Sequence, residues 1–383
     1  MNKLIMKTEP RKHLHWIDLL RIIACFLVVV SHSCDAFVGK TDSNYTEFLT
    51  GAYIGSFVRA CVPLFVMISG ILLLPVKMDM PTFYARRTKR LIIPFVFWSI
   101  MLPIMYYLYI NSGIEIINTA VTPEEHTLAA TLNKFYTFLF NFNYDTIPLW
   151  YMYMLIGLYL FLPILSAWLK QASKKEVQLF LGIWLFTLCI PYIELAAPLI
   201  GFTGYGGNPS LFGVCDWNVY GTFYYFSGFA GYLILAYYLR EYPLNWSWRR
   251  TLATAIPLMT IGYFITAEGF VLTQKMFPDD FSKLEIVWNF AGINVMMMTL
   301  AIFMVVQKLE LKPSPLIKKI ASFTFGIYLS HFFFCQFTYD IIYPALDVSP
   351  FTKIILIALS SFTLSLLLMW IMSLNRYTRK LIM

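Results

Sequence analysis

Ten times along this chain an apolar run of about twenty residues is cut off by charged or turn residues, and no other feature constrains the fold as strongly. The runs cover roughly 17–38, 51–75, 91–110, 148–169, 177–200, 218–239, 251–272, 286–307, 316–340 and 352–374. A run of that length crosses the hydrocarbon core of a bilayer as a helix, where every backbone polar group finds its partner inside the segment. The expected fold class is all-α: a polytopic membrane bundle of about ten helices. It is read as one domain over 1–383, with tails at about 1–15 and 375–383. Composition agrees, because 13% of the residues are charged where a soluble domain carries roughly 25%. Disorder, a coiled coil, a nucleic-acid-binding domain and a secreted disulfide scaffold are excluded. The first run is too long for a signal peptide, begins with Asp18 and Arg21, and lacks a small-residue cleavage site, so it is read as a span.

The basic residues orient the bundle. Lys3, Lys7, Arg11 and Lys12 precede the first run; Lys77, Arg86, Arg87, Lys89 and Arg90 follow the second; Lys170, Lys174 and Lys175 follow the fourth. Arg240, Arg249 and Arg250 follow the sixth, Lys308, Lys312, Lys318 and Lys319 the eighth, and Arg376, Arg379 and Lys380 the tenth. The alternate loops hold only Lys40, Lys134, Lys275, Lys283 and Lys353, while Arg21 and Arg59 stay inside runs. The positive-inside rule then puts both termini in the cytoplasm, and the expected location is the cell inner membrane, multi-pass. The net charge of +8 is thereby read first as topology. The six cysteines show no regular spacing and lie mostly in apolar runs, so they read as small buried residues, with no metal expected.

Two outer segments stand apart. Residues 111–147 carry Glu124, Glu125, His126 and the aromatic stretch FYTFLFNFNY, which fits a short interfacial helix or a re-entrant cap. The second, GFTGYGGNPSLFGVCDWN, reads as a binding loop or a loose linker.

Ionisable groups inside spans are costly, and each is a functional candidate. The first span carries Asp18, Arg21 and His32. Arg21 and His32 are eleven positions apart, which at 100° per residue returns to within about 20° of one helix face and separates them by roughly 16 Å. Asp18 stands three positions before Arg21 and can pair with it. Arg59, Glu194, Glu268, Asn289 and His331 fall toward the outer half and with His32 suggest a polar cavity there; Arg86, Arg87 and Arg90 mark the inner mouth. Plainer readings stand beside these. Arg21 can snorkel to headgroups, His32 and His331 can be structural, Glu194 and Glu268 can face water, and the run RRTKR can be a topology signal that binds anionic lipid.

The stretch WIDLLRIIACFLVVVSH (16–32) resembles the opening of the acyltransferase 3 family of integral membrane acyltransferases, whose hallmark is an Arg, ten residues and a His. RRTKRLIIP (86–94), LWYMYMLIGLYLFLPIL (149–165) and SFTFGIYLSH (322–331) are similar to further segments of that family, in order along the chain. VPLFVMISG (62–70) and TFYYFSG (222–228) resemble the branch that O-acetylates enterobacterial common antigen. The resemblance implies acyl transfer from cytoplasmic acyl-CoA, usually acetyl-CoA, to a hydroxyl of a cell-surface or periplasmic glycan or its lipid-linked precursor. It assigns the general base to His32, an essential role to Arg21, and donor binding to Arg87 and Arg90.

Elementary chemistry is compatible with that implication. CoA phosphates need cations, and the planar fork of arginine pairs with phosphate oxygens bidentately, which makes Arg21, Arg86, Arg87 and Arg90 the donor-side candidates. The pantetheine arm reaches on the order of 15–20 Å, similar to the rise from Arg21 to His32. A neutral imidazole can take the proton of a sugar hydroxyl. Asp35, one turn on, can orient it, and Arg59 is the candidate donor to the developing oxyanion. Trp150, Tyr224, Asn289 and His331 are the acceptor-side candidates. A transporter or flippase is the rival class, since ten spans with buried charge suit it too; inverted repeats would mark it, and none is evident between the two halves.

Overall fold

A computed structural model describes residues 14–202, 204, 210–278 and 280–382. The expected basic cluster Lys3, Lys7, Arg11 and Lys12 and much of the glycine-rich outer loop lie outside the described residues. The described chain is a helical bundle in which no strand forms. Its principal helices in chain order are α1 (His15–Ser33), α2 (Tyr45–Phe57), α3 (Cys61–Leu73), α4 (Lys89–Ile110), α5 (Leu128–Thr137), α6 (Trp150–Leu169) and α7 (Lys174–Thr187). There follow α8 (Ala230–Glu241), α9 (Trp248–Met276), α10 (Phe281–Trp288), α11 (Ile293–Gln307), α12 (Pro315–Ala345) and α13 (Pro350–Ser373). Among the described residues nine helical stretches are long and apolar enough to cross a bilayer, and they coincide with nine of the ten expected runs.

The exception is the run 218–239. Only Ala230–Glu241 is α-helical, preceded by a single 3-10 turn at Tyr224–Phe226, and twelve residues span about 18 Å, short of a core of about 30 Å. Residues before it form turns, with Gly221 and Gly228 at φ of 57° and 75°, a region in which glycine suffers no side-chain clash. The crossing is nevertheless completed. The Trp184 indole in α7 donates to the Gly228 carbonyl at 2.9 Å. At the far end of α8, Gln178 donates to the Tyr238 hydroxyl at 2.9 Å and the Lys174 ammonium lies over the Tyr242 ring. The chain therefore returns to the face on which α7 began, and the alternation of loops survives a half-irregular span. Irregular backbone at such depth is tolerated where protein covers it.

α1 is the central helix, packed against α12, α3 and α13. Its contact face is made of small residues and valines: Ala24, Cys25, Val28 and Val29 are all buried. Small residues let helices approach closely where lipid offers no hydrophobic contrast. The Cys25 thiol donates to the Thr324 carbonyl of α12 at 3.5 Å. A similar close approach joins α3 to α8, where a Cβ on Gly70 would stand 2.5 Å from the Leu233 carbonyl oxygen.

Residues 111–147 form a fixed cap built on α5. At its base, the buried Asp145 carboxylate takes His126 Nε2 at 2.7 Å and Lys134 Nζ at 2.8 Å. Asp340 of α12 accepts from the Ile117 and Asn118 amides at 3.0 and 3.3 Å, from the Tyr109 hydroxyl at 2.9 Å, and from Gln336 at 2.6 Å. These bonds satisfy backbone groups that an irregular segment would otherwise bury unpaired.

Candidate active site

Two cavities open along α1. One, of about 430 Å³, lies toward the basic face and is lined by Arg21, Arg87, Arg90, Tyr151, Tyr159 and Tyr328 among others. Arg21 is held by Asp18 one turn earlier, at 3.7 Å. Arg87 ends up beside Arg90 because three positions on a helix share a face, and the chain enters α4 already wound, through a π-turn over Tyr84–Thr88. Arg86 is exposed and is not part of this lining. It lies near Asp79, whose carboxyl is held below the usual range first by the Thr82 amide that it caps and also by the Arg86 charge.

The second cavity, of about 400 Å³, lies on the opposite side and is lined by His32, Asp35, Lys40, Asn118, Tyr144 and Gln336 among others. His32 is the last turn of α1; the helix breaks at Cys34, which brings Asp35 round so that its Oδ2 takes His32 Nδ1 at 2.7 Å. A carboxylate only accepts, so Nδ1 carries a proton, and in the neutral ring Nε2 is left as the acceptor. Lys40 pairs with Glu47 at 2.6 Å and lies 3.7 Å from the Tyr343 ring centroid. Partial burial works against its charge, but hydrogen bonding to Glu47 and Tyr343 outweighs burial and raises its pKa.

Between the cavities stands one turn of α12. The Tyr328 hydroxyl donates to the Pro148 carbonyl. His331 is fully buried, donates from Nδ1 to the Tyr328 carbonyl at 2.6 Å, and has its ring 5.2 Å from that of His32. Its Nε2 has no hydrogen-bond partner.

The polar groups expected to share one outer cavity are not gathered. Arg59 lies at the break between α2 and α3 and lines neither cavity; its guanidinium stacks 3.9 Å from the Trp288 ring and 5.0 Å from that of Phe290, with Nε buried and unpaired. Trp150 opens α6 and stacks on the same Phe290 at 5.7 Å. Tyr224 is half exposed on the irregular segment before α8, beside Tyr220. Asn289 caps the turn into α11 by accepting from the Ala291 amide at 2.8 Å. Glu194 and Glu268 are exposed, and Glu268 takes the Tyr53 hydroxyl at 2.8 Å. Sequence reasoning passed over Asn118, Tyr144, Gln336 and Asp340. Of these Asp340 carried a signal, being an acid at the end of a span; the others reach the site only through the tertiary fold.

The arrangement has a chemical sense. Guanidinium groups surround one cavity, suited to an anionic ligand. A His–Asp pair borders the other, suited to removing a proton from a hydroxyl. One turn of packed aromatic and histidine side chains separates them. The acyltransferase 3 family model, described as an acyltransferase domain, matches residues 14–371. No curated protein and no solved structure matches the chain.

Proposed function

The chain belongs to the acyltransferase 3 family, and on that premise we propose that it is a membrane O-acyltransferase moving an acyl group, acetyl by the resemblance, from cytoplasmic acyl-CoA to a glycan hydroxyl. The observation that carries the reading is the placement of Arg21 and His32 on one helix, in cavities on opposite sides of the bundle. Phosphates of the donor pair with Arg21, Arg87 and Arg90 at the basic face, and the pantetheine arm runs inward toward Tyr328. The acceptor enters the opposite cavity, where the carbonyl, amide and hydroxyl groups of Asn118, Gln336 and Tyr144 match the alternating polar and apolar faces of a sugar. The stretches VPLFVMISG and TFYYFSG favour an acceptor of the enterobacterial common antigen type.

In the transfer, His32 Nε2 takes the proton of the acceptor hydroxyl as its oxygen attacks the thioester carbonyl. Asp35 holds the imidazole in the productive tautomer. The tetrahedral intermediate then collapses, the C–S bond breaks, and the ester and CoA leave. The family match favours this over the transporter alternative. The test is transfer of radiolabelled acetyl from acetyl-CoA by the purified protein to a panel of inner-membrane and periplasmic glycans. Label in a glycan ester with wild type, lost on His32→Ala, is expected; equal labelling by both proteins removes His32 as the base.

A further inference from the structure

We propose that His331 is a second catalytic residue, carrying the proton that His32 removes from the acceptor to the departing sulfur of CoA. The inference rests on the acyl-CoA reading above and adds a residue to it. Its starting point is a buried acceptor with nothing to accept. His331 is fully buried, its Nδ1–H is committed to the Tyr328 carbonyl at 2.6 Å, and Nε2 has no partner. An unpaired buried acceptor is unfavourable. The next three positions of α12 are phenylalanines, and a phenylalanine here would fill the volume without that penalty.

Position supplies the function. Tyr328, one turn before His331, lines the arginine cavity, whereas Phe332, Cys335 and Gln336, after it, line the His32 cavity. His331 lines neither cavity itself but sits on α12 between the two linings, and on the proposed reaction a thioester arriving from the basic face would meet the acceptor there. Its ring centroid is 5.2 Å from that of His32; no hydrogen bond joins the two rings, and one water or a small ring rotation would close the gap. The two imidazoles are wired alike, each with Nδ1–H given to an oxygen and Nε2 left as an acceptor.

The step balances without any further reagent. The hydroxyl proton goes to His32 Nε2, the hydroxyl oxygen bonds to the thioester carbonyl carbon, and the C–S electron pair goes to sulfur. The proton then passes from His32 to His331 Nε2 and on to sulfur, leaving CoA as the thiol and both histidines neutral. The Tyr328 carbonyl, already accepting from Nδ1–H, stabilises the transient His331 imidazolium.

The test varies the leaving group. Wild type and His331→Phe, which keeps a ring against His32, are compared in nanodiscs with acetyl-CoA and with its selenoester analogue, using glycerol as the probe hydroxyl. A selenolate departs without protonation. The relay predicts that His331→Phe slows transfer from acetyl-CoA by roughly 10²-fold and leaves the selenoester rate close to wild type. Equal slowing with both donors, or none with either, overturns it. Should His331→Phe fail to fold, His331→Asn is read the same way, with CoA-dependent thermal stabilisation as the check on the donor site. Wild type that releases no CoA from either donor and gains no thermal stability from CoA would instead overturn the acyl-CoA reading, and the relay with it.

Discussion

At the scale of single residues, the site depends on which nitrogen of each imidazole is free. Asp35 decides this for His32 from a carboxylate that is half exposed to solvent. Replacing it by Asn keeps the shape but offers either an acceptor or a donor to Nδ1, so the productive tautomer is no longer enforced. Asp35→Asn is expected to lower kcat by about 10–10³-fold with the KM for acyl-CoA unchanged, measured by steady-state acetyl transfer. The arginines act on the other parameter. If the proposed donor site holds CoA, Arg87→Ala and Arg90→Ala would each remove a charge-assisted contact to phosphate, and the donor KM should rise by roughly 10–10²-fold. Arg86→Ala, on a side chain outside the cavity lining, should leave the donor KM near wild type. Equal effects at Arg86 and Arg87 would contradict the lining described here.

At the scale of elements, what could be read from the sequence follows from what each signal depends on. The relation of Arg21 to His32 was legible because both lie on one unbroken helix and the helical period alone determines it. The sixth run was misread as a full helix because apolar composition is the same for a helix and for an irregular segment; the difference lies in Gly221 and Gly228, whose positive φ shows only in the backbone. Asn118 and Gln336 were out of reach because more than two hundred positions separate the two, and no local pattern encodes that contact. The close packing of α3 on α8 gives a direct prediction. Gly70→Val drives a side chain into the Leu233 carbonyl and should destabilise the bundle by on the order of 1–3 kcal/mol, seen as a lower Tm in detergent. Gly157→Ala, with nothing within 4 Å of the new Cβ, is the matched control and should leave Tm near wild type.

At the scale of the whole molecule, the bundle separates a guanidinium-lined cavity on the basic face from a histidine-bordered cavity on the other, with one turn of α12 between them. In a chain with so little charge, Arg21 and His32 border the two cavities from a single helix, α1. On the proposed function, this division would also make the direction of transfer a property of the fold, with a separate entrance for each substrate. The most direct test is a sidedness measurement in sealed proteoliposomes of defined orientation, with labelled acetyl-CoA and acceptor supplied on chosen faces. Transfer is predicted when acetyl-CoA is on the basic face and the acceptor on the opposite one, and it should be lost when the two are exchanged. Transfer only when both substrates share a face would contradict the two-entrance site.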